Sequence, residues 1–125
     1  MFDLENLNPG VTFTHENKWS VTLRMITAEV FTDLQKRAVK RKREFKDGQI
    51  YEYDDIDQDL HNEITWDYCI VDWDIKDQHK KPIECTKENK IRLMGNSAEF
   101  SLFVSQCLGE MTDQLQQKRE TLEKN

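Results

Sequence analysis

The sequence predicts an α+β fold in which an N-terminal β-hairpin packs against about four α-helices in a single small domain. Three observations predict it. Apolar and polar residues alternate from Val11 to Met25, which is the period of strands. After Thr27 the apolar residues recur every three or four positions, which is the period of helices. The chain has 125 residues, 37% of them apolar and 10% aromatic, enough for one folded domain with a thin core.

The elements follow in order. Residues 1–10, with Asn6, Asn8, Pro9 and Gly10, read as an irregular lead-in. Val11 and Phe13 then alternate with Thr12 and Thr14, and Trp19, Val21, Leu23 and Met25 alternate with Ser20, Thr22 and Arg24. The polar stretch His15-Glu16-Asn17-Lys18 joins the two runs as a turn. A lone hairpin is marginal in water, so its apolar face calls for a cover of helices.

Thr27 can cap a helix, and Phe31, Leu34, Ala38 and Phe45 share one helical face that Asp47-Gly48 ends. Ile56, Leu60, Ile64, Tyr68 and Val71 predict a second helix, with Asp54, Asp55 and Asp57 crowding its start. Asp72 to Glu84 has no helical period and reads as an ordered loop pinned by Trp73, with Pro82 fixing its course. Thr86 opens a short helix over 87–94 that stops at Gly95. Ser97 opens the last helix, whose stripe is Phe100, Val104, Cys107, Leu108, Met111, Leu115 and Leu122. The domain should therefore span 11–113, with 114–125 a polar helical tail. The expected core is Trp19, Val21, Leu23, Phe31, Leu34, Leu60, Ile64, Trp73, Phe100, Val104 and Leu108.

Composition narrows the function. No apolar run is long enough to span a membrane, and the start of the chain lacks the pattern of a secretory leader, so a cytoplasmic protein is expected. Cys69, Cys85 and Cys107 are odd in number and form no C-x-x-C pair, as expected of reduced core thiols. The acidic run at Asp55-Ile56-Asp57 has Leu60 where a calcium loop needs Gly and Trp66 where it needs Glu. His15, His61 and His79 stand near no nucleophile or metal motif, so neither a catalytic residue nor a cofactor is expected.

Charge is distributed unevenly. Residues 36–46 hold seven basic residues, whereas 47–77 hold eleven acidic residues and one basic residue. A basic helix over 36–46 would suit nucleic acid, yet the chain carries a net charge of -6. Lys36, Arg37, Lys40, Arg41 and Arg43 are therefore candidates for contact with an acidic or amphipathic protein. Met111, Leu115 and Leu122 continue the last helix's stripe near heptad spacing, which suits a homo-oligomer seam.

One stretch carries a resemblance. Val71-Asp72-Trp73-Asp74-Ile75-Lys76-Asp77, then Lys81-Pro82-Ile83-Glu84-Cys85-Thr86-Lys87-Glu88-Asn89-Lys90, with Leu93 and Phe100, resembles the tail assembly chaperones of long-tailed bacteriophages and prophages. The likeness extends over about residues 10–110 through Phe13, the strand Trp19–Arg24 and the charged helix after Thr27. It departs at His79-Lys80, where such proteins often have Asp-Gly, and at Ser97-Ala98, where a Pro often opens the helix. The resemblance gives Trp73, Pro82 and Thr86 structural roles. It implies a non-enzymatic chaperone without cofactor, acting in the host cytoplasm, that binds the tape measure protein and is absent from the finished virion. The alternative from the residues is a small regulatory protein binding nucleic acid through 36–46.

Overall fold

The computed structural model describes the backbone of residues 2–124 and the side chains of residues 2–118. Over that span the chain is α+β, with four helices and five strands in two small sheets. It divides into two compact units, Met1–Met25 with Trp66–Asn125, and Ile26–Thr65.

The first unit opens with the expected hairpin, β1 (Val11–His15) against β2 (Trp19–Leu23). Glu16 and Asn17 take φ of 48° and 59°, and the Lys18 N–H closes the turn on the His15 carbonyl at 2.8 Å. The irregular lead-in is nevertheless tied down. Asn8 Nδ2 donates to the Met25 carbonyl at 2.7 Å, and Gly10, at φ 99°, lies where a Cβ would come 2.9 Å from the Leu23 carbonyl oxygen. A third strand, β5 (Ile70–Trp73), which the sequence pattern did not lead us to expect and which takes Asp72 and Trp73 out of the expected loop, pairs antiparallel with β2, giving the order β1-β2-β5. One face of this sheet buries Val21, Leu23, Ile70 and Trp73 with Phe100, Val104 and Cys107 of α4 (Ala98–Lys124). The other face carries hydroxyls paired across strands, Thr12 with Thr22 and Thr14 with Ser20.

The loop after β5 is held as its residues suggest. Trp73 Nε1–H donates to the Ile83 carbonyl at 2.7 Å, and the indole meets Phe100 edge-on at a centroid distance of 5.7 Å. Lys76 bridges to Pro82, and Asp77 accepts from the His79 and Lys81 N–H groups. Thr86 caps α3 (Lys87–Asn96) by accepting from the Asn89 N–H at 3.2 Å, and Ser97 caps α4 through Phe100 N–H. Lys90 is buried and donates to both the carbonyl and the carboxylate of Asp67.

The second unit corrects two expectations. Thr27 caps α1 as foreseen, but α1 covers only Ala28–Arg37, and residues 39–46 are a strand, β3 (Val39–Lys46), not a helix. β3 pairs over its whole length with β4 (Gln49–Ile56). Asp47 and Gly48 do not end a helix; they form the two-residue turn of this hairpin, at φ 54° and 76°. Positive φ at both central residues is what a tight hairpin demands, and Asp-Gly supplies it. Phe45 thus leaves the expected helical face and is 74% exposed, and Phe31 is also exposed rather than core. The second expected helix is shorter at both ends: α2 is Gln58–Cys69, with Ile56 closing β4 and Val71 in β5. Asp57 caps α2 through Leu60 N–H, while Asp54 and Asp55 belong to β4. The buried apolar residues of this unit are Leu34, Ala38 and Ile64.

Of the expected core, Trp19, Leu60 and Leu108 are half-buried, and Ala38, Cys69, Ile70 and Cys107 are buried in addition. Replacing the 9%-exposed Trp73 by Ala should cost about 3–5 kcal/mol in denaturant titration. Trp73→Phe, which keeps an aromatic ring but orphans the Ile83 carbonyl, should cost about 1–3 kcal/mol. A loss below about 1 kcal/mol for the alanine variant would show that the indole does not pin the loop.

Candidate functional site

The feature that no core requires is the β3–β4 ribbon. Every residue of both strands is exposed. Large apolar side chains stand on it in water: Val39, Phe45, Ile50, Tyr51, Tyr53 and Ile56, with Phe45 at 74% and Ile50 at 65% at the tip. Two-stranded ribbons with no covered face are marginal alone, and exposed apolar groups of this size mark contact surfaces.

Register decides which side chains meet. Val39, Arg41, Arg43 and Phe45 share one face with Ile56, Asp54, Glu52 and Ile50 opposite them. Lys40, Lys42, Glu44 and Lys46 share the other with Asp55, Tyr53, Tyr51 and Gln49. On the first face one carboxylate serves two guanidinium groups. Glu52 Oε2 lies 2.8 Å from Arg41 Nη2, and Oε1 lies 3.0 Å from Arg43 Nε. On the second face Lys42 Nζ reaches diagonally to Asp55 Oδ2 at 2.8 Å. The ribbon from 39 to 56 holds five basic and five acidic residues, so the basic run is neutral in its folded setting.

Of the expected contact residues, Lys36 and Arg37 lie in the last turn of α1, where cations favour the helix C-terminus. Lys40, Arg41 and Arg43 lie on β3. Met111, Leu115 and Leu122 belong to α4 in the first unit. Met111 packs on the core and is half-buried, Leu115 is 55% exposed, and the Leu122 side chain lies outside the described residues. Val11, Met25, Met111 and Leu115, with Gln114 and Lys118, line a groove of about 180 Å³. Trp73, Pro82 and Thr86 serve the loop as described above.

Reading the residues alone missed Ile50, Tyr51, Glu52 and Tyr53. The signal was present: Asp47-Gly48 stands before a β-prone run, Ile50-Tyr51-Glu52-Tyr53.

Groups with reactive chemistry are placed quietly. Burial pushes the Cys69 and Cys107 thiols up to about 11 and raises Cys85 as well, so all three are protonated at neutral pH. His15 packs against both Trp19 and Phe103, which also touch each other, and its Nε2 lies 3.0 Å from Glu99 Oε1. Among the described residues no group of three His, Cys, Asp or Glu side chains could hold a metal ion, and no helix is long and apolar enough to cross a membrane. No protein-family model, curated protein or solved structure matches the chain.

The Lys42–Asp55 pair sets a pH window. The hydrogen bond from Lys42 holds the Asp55 carboxyl below its ordinary 3.8, and the same bond raises Lys42 above 10.5. Asp55 contributes above pH 3.8 and loses that contribution as pH falls through its folded value; Lys42 contributes below 10.5 and loses it as pH rises through its folded value. Side-chain NMR titration should find Asp55 below 3.8, and Lys42→Ala should return it towards that value. No movement in the variant would show that the pair is not formed in solution.

Proposed function

We propose that this chain is a non-enzymatic binding protein, an assembly chaperone of the phage-tail kind, that holds its client through the β3–β4 ribbon. The observation that supports it is a ribbon exposed over its full length with apolar side chains at its tip and base. Such a surface gains by being covered, and a client polypeptide with its own exposed apolar segments would cover it. The resemblance of 71–100 to tail assembly chaperones implies the tape measure protein as the client. It also implies action in the host bacterial cytoplasm, before the virion is complete. Charge supports a protein client over nucleic acid, because Arg41, Lys42 and Arg43 already face carboxylates within the ribbon.

Co-expression with the tape measure protein encoded nearby should yield a complex that survives about 0.5 M salt, where phosphate contacts would have weakened steeply. Phe45→Ser with Ile50→Ser, at exposed positions, should reduce capture about tenfold without lowering stability by more than about 1 kcal/mol. Capture of nucleic acid instead, lost at modest salt, would support a regulatory role through 36–46.

Self-association belongs to the same proposal. The groove at Met111 and Leu115 lies on the stripe with heptad-like spacing, and a second copy of α4 would fill it. Light scattering should report a dimer or larger species for the full chain and a monomer for Leu115→Lys. A monomeric full chain at high micromolar concentration would remove the oligomer.

A further inference from the structure

Hairpin geometry fixes which backbone groups of the ribbon are free. The two-residue turn makes Lys46 and Gln49 the closing hydrogen-bonded pair. Bonding then alternates, so Lys40, Lys42, Glu44 and Lys46 turn their N–H and C=O groups towards β4. Val39, Arg41, Arg43 and Phe45 turn theirs outward. Among the described residues the outer side of β3 has no neighbouring strand, since β3 and β4 form a two-stranded sheet. The outer row of β4 is Ile50, Glu52, Asp54 and Ile56, and there the last N–H is already taken by Asp55 Oδ1 at 2.8 Å. The β3 edge is therefore the more open of the two.

The charged side chains along that edge are five cations and one carboxylate, Glu44. Lys42 is held by Asp55, which stands opposite Lys40 in the register. Lys40 is thereby left without a carboxylate within 4.0 Å among the described residues, and so is Lys46 at the tip. Val39 and Phe45 add apolar contact at either end of the row. A strand laid on this edge meets the free Lys40 and Lys46, with Glu44 between Lys42 and Lys46, on one face and apolar groups with Arg41 and Arg43 on the other.

Resting on the reading of the ribbon as the client-binding arm, we infer that the open β3 edge takes an acidic, extended segment of the client as a third strand. β4 shows the chemistry that fits: its Glu52 and Asp55 satisfy β3 from the inner side, between Ile50, Tyr51, Tyr53 and Ile56. Main-chain bonds supply affinity and the lysines select carboxylates. A second copy's β3 would bring cations against cations, which disfavours a symmetric edge dimer. A second copy's β4 would join head to tail and leave an edge open at each end.

The test uses the full chain, labelled for NMR, and three octapeptide probes: alternating Glu/Val, alternating Lys/Val, and alternating Glu/Val methylated on every backbone nitrogen. The Glu/Val peptide should shift the amides of Val39, Arg41, Arg43 and Phe45 and slow their hydrogen exchange. Lys40→Glu with Lys46→Glu should weaken that binding about tenfold or more. The Lys/Val peptide, and the Glu/Val peptide methylated on every backbone nitrogen, which cannot donate to a ladder, should leave those amides unchanged. Equal binding of the N-methylated peptide, shifts confined to β4, displacement by a single-stranded oligonucleotide, or no shift at about millimolar peptide would overturn the inference. So would head-to-tail oligomers that Lys40→Glu with Lys46→Glu dissolves. The client complex separates this inference from the reading beneath it. Capture lost in Phe45→Ser with Ile50→Ser but unchanged in Lys40→Glu with Lys46→Glu keeps the arm and removes the edge. Capture unchanged in both removes the arm as well.

Discussion

The indole of Trp73 is the point at which the first unit is tied together. Its backbone pairs with Val21 in the central strand, its N–H holds the Ile83 carbonyl, and its ring stands edge-on to Phe100. Sheet, loop and last helix therefore meet on one side chain. Trp19 extends the aromatic contact to Phe100 and Phe103, and His15 lies against both Trp19 and Phe103. A thin core in a chain that is 34% charged gains from such a cluster, because a few large rings remove much apolar area from water.

The ribbon depends on the opposite device. It buries nothing and is held by turn geometry, ladder bonds and diagonal ion pairs. Exposed ion pairs contribute little singly, but here they also fix register, since a slip of one residue would move Glu52 away from both guanidinium groups. The basic run of β3 is thus a structural counterpart to β4 before it is anything else.

The first unit was legible because its signals were local and unopposed. Alternation through Val21 and Leu23 placed the hairpin, and Thr86 and Ser97 marked two helix starts. Pro82 in a stretch without period marked the loop, but β5 was missed, because a four-residue strand ending on Asp72 and Trp73 shows no alternation long enough to read. The ribbon was misread because Leu34 and Ala38 at helical spacing ran straight into lysines and arginines, which helices accept well. Phe45 then fell on the same face by coincidence of spacing. The decisive residues were Asp47 and Gly48, which can end a helix or turn a hairpin, and the β-prone residues after them chose the hairpin. Cross-strand charge pairing cannot be seen until register is known, so the neutrality of the ribbon was hidden in a sequence that showed only a basic block and an acidic block.

The first unit is assembled from two separated stretches, whereas Ile26–Thr65 is one continuous stretch. Its bond from the Ser20 N–H to Asp74 Oδ1 spans 54 residues. Vectorial synthesis at about 5–20 residues per second delivers 26–65 complete about half a second to one and a half seconds before β5 leaves the ribosome. A two-residue hairpin closes within about ten microseconds, whereas β2 must wait for its outer partner. A nascent chain therefore carries a finished arm before it has a finished body, and during that interval the unpaired side of β2 is the vulnerable edge.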